Sequence, residues 1–358
     1  MKREAVPAAL IEKNKGATVV YFTLIISIIS FIAAAISGAI AFIAYFETRK
    51  DSHYVDIDHQ YADLLNIALD NTDFRYDEKT TDYLALPPDN DFRRKYEIYA
   101  YMCWNFLETI HDRHNEMNTW LPVILEENRL HYIWFRHNLK LFKTEFQNYI
   151  IKTINETELD VAGAERLDKI YKHYVSDFPL DEQKTFDQLT RILQKDRYEI
   201  ILLRHKKYDE IIGYAFVYSD DTTLWLDYMA IDHKFRNAGY GTLLFNKILE
   251  KKAANKAGMF LEVENLEPDD SDNSNNAKRI RFYERLGAQR LPIDYKLPTK
   301  DGPYPMSLYF KPVKGVKVLR EEELRQSISS IFGYIHSDIA DAEIVAADIS
   351  LQDISLNQ

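Results

Sequence analysis

One cysteine in 358 residues, Cys103, leaves the chain unable to close an internal disulfide, and no zinc-ligand spacing uses it. A lone thiol is consistent with a reducing compartment. Basic residues are also short, 45 Lys and Arg against 56 Asp and Glu, for a net charge of −11 and a pI near 5.5. Binding a phosphate backbone needs a basic face, so we expect no nucleic-acid partner. An acidic protein instead suits a cationic amine. Glycine is absent from residues 47–150, and no Lys or Arg follows Arg325. What remains is ordinary globular usage, 46% apolar and 28% charged, in a chain long enough for two domains.

Charge is missing altogether from Val19 to Phe46. As a helix this run would extend about 42 Å, more than the roughly 30 Å of hydrocarbon in a bilayer and too little for two passages. We therefore expect a short tail at 1–17 and one membrane-spanning helix at 18–46. Tyr21-Phe22 and Tyr45-Phe46 lie where interfacial aromatic belts belong. A buried core helix is a competing reading. A cleaved signal peptide is another, but its apolar region runs only about 7 to 15 residues, so an uncleaved anchor fits better.

Residues 47–150 carry aromatics and Leu at helical spacing, as in Tyr54, Tyr61, Leu64-Leu65 and Ala68, then Tyr96, Tyr99, Trp104, Phe106 and Ile110. This pattern predicts a module of three or four helices, broken at Pro87-Pro88 and again near Leu121-Pro122. His111 and His114, with His131 and His137 beyond, could be read as a metal pair. No carboxylate motif of known spacing accompanies them, so solvated or capping histidines are the better reading and no metal is expected. The module's aromatics suit a core or a self-association surface.

Chemistry first shows itself at Arg236-Asn237-Ala238-Gly239-Tyr240-Gly241, which joins the strand-like Leu224–Ile231 to a helix-like Thr242–Lys252. The two glycines let the backbone turn tightly and approach a ligand, and the free N–H groups at the helix start form an anion site. A pyrophosphate would sit there. The motif alone is weak. Downstream come a second strand, Met259–Glu264, then Asn276, and seven residues later Tyr283, inside Arg279–Ala288 with a helix-ending Gly287. In order and spacing, this series resembles the acetyl-CoA-binding core of the GNAT acetyltransferase superfamily, over about residues 151–313. Arg279 departs from it, standing where the family has a small Ala, and Ala288 replaces a usual Phe.

The resemblance implies an α+β fold with a mixed central sheet flanked by helices, preceded by the anchor and the helical module. Two helices are expected first, one within Asp160–Ser176 and one at Thr185–Lys195. An antiparallel meander of Tyr198–Leu203, Ile211–Tyr218 and the Leu224 strand should follow, then a strand-helix-strand crossover and a last strand at Ser307–Phe310. It further implies that the main chain at Met229, Ala230 and Ile231 holds pantetheine and that the N–H groups from Asn237 through Ala238, Gly239, Tyr240 and Gly241 to Thr242 hold pyrophosphate. Arg236 would add a charged contact or form a surface salt bridge. Asn276 would steady pantetheine or cap its helix.

Acetyl transfer to an amine needs a neutral nucleophile and a proton for the departing thiolate. Tyr283 matches the position of the family's acid and is expected to protonate the CoA sulfur; the alternative is a packed core tyrosine whose hydroxyl only bonds pantetheine. For the base, Asp227 shares a strand face with Met229 and Ile231 by alternation, while Glu262 and Glu264 share a face of the next strand. Burial would raise the pKa of any of the three, and a water relay is a fourth route. The loop Asn265–Asn273 is either a substrate-facing lip or solvated. The Gly302–Met306 loop is expected to border the acceptor pocket.

The segment 314–358 holds a helix, Glu321–Ile335, and an acidic tail whose apolar residues, Ile344 to Leu356, allow either docking or disorder. That helix, like the module, could support a homo-oligomer. The reading as a whole is a single-pass membrane-anchored, acetyl-CoA-dependent N-acetyltransferase acting on a primary amine. Its alternative is a non-catalytic acyl-CoA sensor or scaffold at the membrane. Lys2, Arg3, Lys13 and Lys15 before the anchor outnumber Arg49 and Lys50 after it, which favours a cytoplasmic N-terminus. A cytoplasmic acyl donor and the free thiol argue the reverse, and we expect residues 47–358 on the cytoplasmic side.

Overall fold

A computed structural model of the chain describes residues 24, 27–28, 30–32, 34–42, 56–113, 117–180, 182–266, 274–313 and 315–356. The chain divides into two compact units, Met1–Asn71 and Thr72–Gln358. In the first, residues 34–42 are helical and exposed, and helix α1 spans 56–70. Among the described residues no helix is long and apolar enough to cross a membrane. Most of the expected span's flanks, including Tyr21, Phe22, Tyr45 and Phe46, lie outside the described residues, as does Tyr54.

The second unit opens with a helical layer, α2 (Asp77–Thr81), α3 (Asp91–Asp112), α4 (Met117–His137) and α5 (Thr144–Tyr149). Helix α3 begins where the Pro87-Pro88 turn ends, with the Asn90 side chain accepting from the Arg93 N–H at 3.0 Å. Its buried Tyr96, Tyr99, Trp104, Phe106 and Ile110 face α4, and Trp104 stacks on Phe135 at 4.2 Å. The expected break at Leu121-Pro122 does not occur. Pro122 lies inside α4, whose buried aromatic face supplies packing that outweighs the one missing N–H.

Helices α6 (Leu167–Asp177) and α7 (Phe186–Leu193) follow a strand that sequence patterning misses, β1 (Thr157–Ala162). The helix expected within Asp160–Ser176 occupies its second half, because Asp160–Ala162 pair with β2 (Tyr198–His205) at the sheet edge. Helix α7 has a reciprocal cap between Thr185 and Gln188. Beyond β2 the sheet runs through β3 (Glu210–Ser219), β4 (Leu224–Ile231), β5 (Gly258–Glu264), β6 (Gln289–Arg290), β7 (Tyr295–Thr299) and β8 (Gly302–Pro312), in the order β1-β2-β3-β4-β5-β8-β6 with β7 on β8. Every pairing is antiparallel except β4 with β5. Residues 302–306, expected as a loop, are instead the first half of β8, paired with β7 in a hairpin.

Helix α8 (Tyr240–Lys252) packs on β3 and β4, and α9 (Asn275–Arg285) on β5. Across the sheet, α6 and α7 share a core with α10 (Glu321–Ile335), α11 (Ala342–Asp348) and the tail. The tail is docked: Val345, Ile349, Ile354 and Leu356 are buried, and β10 (Ile354–Ser355) pairs with β9 (Val318–Leu319).

Candidate active site

Strands β4 and β5 pair only from Leu224 opposite Met259 to Leu226 opposite Leu261, and then part. The edge of β4 from Asp227 to Ile231 is thereby left without a strand partner on that side. A cavity of about 470 Å³ opens there, reached by Asp227, Met229, Glu262, Glu264, Arg279 and Tyr283. It extends to the β7–β8 hairpin through Pro298, Thr299 and Tyr304, and to the C-terminal segment through His336 and Asp338.

Asp227 is not in simple alternation with Met229 and Ile231. Phe216 of β3 stands opposite Tyr228 and Val217 opposite Leu226, so Asp227 is the extra residue of a β-bulge. The bulge turns its carboxylate toward Lys184, whose Nζ donates to both oxygens at 3.3 Å, and toward the Tyr198 hydroxyl, which also donates to it. The Lys184 ammonium lies 4.8 Å over the Tyr228 ring. Asp227 is therefore a held, charge-paired acid.

Glu262 differs in kind. Desolvation raises its pKa from 4.5 to about 7, assisted by the charge of Asp227 and opposed by a hydrogen bond from Tyr295. The Tyr295 phenol, pushed up by burial and by Glu262 itself, stays protonated as the donor. Glu264 is held by Arg279 at 3.4 Å, and Arg279 also lies 4.0 Å from Glu182. A small residue at 279 would leave those acids unbridged at the cavity wall.

Tyr283 is buried on α9 against Phe245 and Phe282, with burial raising its phenol pKa and Arg279 opposing. Its hydroxyl has no protein hydrogen-bond partner among the described residues, and the ring lines the cavity. Asn276 lies in the first turn of α9 and does not cap it; Ser274 does, accepting from the Ala277 N–H at 3.1 Å. Residues 267–273 of the acidic loop lie outside the described residues.

At the far end of the free edge, the glycine turn leads into α8. Gly239 has φ +86° and Asn237 φ +64°, so the turn runs through left-handed backbone that favours glycine. A Cβ on Gly241 would meet Phe282 at 3.3 Å and Ile231 at 3.8 Å, which shows how close these backbones come. Ala238 and Tyr240 are buried, and Thr242 follows in the first turn of α8. The N–H groups of Tyr240, Gly241 and Thr242 are the first of α8 and have no acceptor within the helix. Arg236 serves otherwise: its Nε donates to the Ile231 carbonyl at 2.9 Å and its Nη2 to Asp177 at 2.8 Å. The main chain of Met229 and Ala230 remains on the open edge.

Sequence reasoning missed Lys184, Tyr198, Tyr295, His336 and Asp338. Only Tyr198 had a signal, since it shares the inward phase of Ile200 and Leu202. The others come from distant segments. Of the histidines read as a metal pair, His111 packs on Phe146 and Tyr149, and His114 lies outside the described residues. Buried His131, Glu127 and Cys103 converge, with ligand atoms within 4.8 Å of one another. Burial pushes the Glu127 carboxyl up, but the His131 ring, its Nε2 3.4 Å away, and Arg75, 2.7 Å away, outweigh it and hold its pKa at about 2.

The fold is thus an α+β one, a mostly antiparallel sheet that splays at its parallel pair with a glycine turn and a buried tyrosine at the opening. A sequence profile of the Acetyltransferase (GNAT) family matches residues 167–288. YjbC of Bacillus subtilis (strain 168), assigned as an acetyltransferase, is 30% identical over 165 residues, covering 45% of this chain and 77% of that protein. The chain belongs to the GNAT acetyltransferase family. Similar solved structures include a GNAT-family protein of Bacteroides thetaiotaomicron, also assigned as an acetyltransferase, 20% identical with a TM-score of 0.41 over 50% of this chain and 97% of that one. Arabidopsis thaliana NAA60 in complex with acetyl-CoA is 11% identical, with a TM-score of 0.35 over 44% and 99%.

Proposed function

We propose that the protein is a membrane-anchored N-acetyltransferase that transfers the acetyl group of acetyl-CoA to a primary amine by direct attack. The observation that carries this is the splay after Leu226 and Leu261, where the cavity brings together a carboxyl with a pKa of about 7 and a tyrosine hydroxyl without a hydrogen-bond partner among the described residues. In this reading the open edge of β4 at Met229 and Ala230 pairs with pantetheine and the 237–242 N–H groups hold pyrophosphate. Glu262 takes one proton from the ammonium form of the amine, the neutral nitrogen attacks the thioester carbon, and the second proton that nitrogen then sheds replaces the one Tyr283 donates. The C–N bond forms, the C–S bond breaks, and Tyr283 gives its proton to the departing sulfur. Asp227, tied to Lys184 and Tyr198, tunes Glu262 through its charge.

The acceptor is cationic in this proposal because carboxylates outnumber cations around the cavity, Glu182, Asp301 and Asp338 adding to the acids already named. The anchor rests on the charge-free run Val19–Phe46 and on apolar side chains left exposed within it, Phe31, Ile36, Ile40 and Phe42. Acetyl-CoA titrated into the full chain by calorimetry, followed by turnover on a panel of amines, tests the activity. No heat at millimolar acetyl-CoA would end the proposal, and binding without turnover on any amine would leave a sensor instead.

A further inference from the structure

The helical layer is built against the glycine turn. Helix α2 lies on the His233–Phe235 segment that precedes it. His137, the last residue of α4, reaches the Asn237 carbonyl with its Nε2 at 3.0 Å. The Tyr132 ring sits 6.0 Å from that of Tyr240. Arg136, between them, is beside the Tyr132 hydroxyl, and its Nη2 lies 3.2 Å from where a Cβ on Gly239 would stand. The layer thus meets the turn at Asn237, Gly239 and Tyr240, and the segment before it at His233–Phe235.

The charge at this place is unbalanced. Arg136 is half-buried and has no carboxylate within 4.0 Å among the described residues, whereas Arg236, the expected cation of the turn, is committed to Asp177 and the Ile231 carbonyl. A half-buried guanidinium without a counter-anion, beside N–H groups at a helix start, concentrates positive potential at a site shaped for an anion. We propose that Arg136 is a cofactor-binding residue, contributed by the helical layer, that holds the pyrophosphate of CoA across the glycine turn, with His137 fixing the turn's conformation. The proposal rests on the acetyl-CoA reading above. It also gives the helical layer a role, as one wall of the cofactor site.

The test is calorimetry on the full chain with CoA and with 3′-dephospho-CoA, comparing the wild type with Arg136→Gln and with Arg136→Met, which keeps the apolar stem. Loss of a charge-assisted phosphate contact predicts about 10- to 100-fold weaker binding of both ligands, by the same factor, in whichever variant retains the wild-type melting temperature without ligand. Wild-type affinity in such a variant overturns the assignment and leaves the acetyl-CoA reading standing. A loss confined to CoA also overturns it, because the contact would then be to the 3′-phosphate. A wild type that binds neither ligand removes both readings.

Discussion

Glu262 and Asp227 are neighbours across the splay, yet the protein treats them oppositely: one carboxyl is desolvated and poised near neutrality, the other is paired with Lys184. If Glu262 is the base, kcat/KM should rise with pH through about 7, and Glu262→Gln should remove that limb. Asp227→Asn discriminates further. Removing the adjacent charge lowers the Glu262 pKa and moves the limb to lower pH, whereas an Asp227 base would instead lose the limb altogether. The same shift links to stability. A carboxyl whose folded pKa is raised stabilises the fold below its unfolded value of 4.5, and that stability is lost as pH rises through about 7. Denaturant midpoints of Glu262→Gln should therefore change less between pH 5 and pH 8 than those of the wild type. Tyr283→Phe keeps the ring among Phe245 and Phe282 but removes the proton. It should lower kcat by roughly 10²- to 10⁴-fold with little change in acetyl-CoA affinity, and unchanged turnover in a chemistry-limited step would exclude Tyr283 as the acid.

Elements were legible where the signal is local. The alternating and apolar runs of β2 to β5, the glycine turn and the Glu321–Ile335 helix all announce themselves within a few residues. The β-bulge did not, because it is defined by register against β3, and a strand read alone shows only its own alternation. Strand β1 hid for a related reason: an edge strand with a half-exposed face, TELDVA, has weak patterning. In the site, the strand acids were visible as residues out of place in apolar runs and Tyr283 through its spacing from Asn276 and the family resemblance, while Lys184, His336 and Arg136 enter only through the fold. The tail illustrates the limit most plainly, since its spaced apolar residues allowed docking or disorder and only the groove beside α10 decides it. Ile349 is nearly inaccessible there at 3% exposure. Ile349→Ala should cost about 2–5 kcal/mol in urea or guanidinium unfolding, and a change within a few tenths would mean the tail contributes nothing to the core.

At the scale of the whole molecule, the charge pattern around the proposed anchor and the chemistry proposed for the site point in opposite directions. Lys2, Arg3, Lys13 and Lys15 precede Val19, with Arg49 and Lys50 just beyond Phe46, so the positive-inside tendency alone would export the enzyme. The excess is modest on so short a tail. Against it stand the acyl-CoA donor proposed for the cleft, which is made in the cytoplasm, and a buried free thiol, Cys103, in a chain with no other cysteine. We therefore predict residues 47–358 on the cytoplasmic side. Protease added to intact cells or spheroplasts should leave a C-terminal tag uncut until lysis. Digestion of the tag before lysis would reverse the orientation, and with it would go acetyl-CoA as the donor, because the cleft would then face a compartment without it.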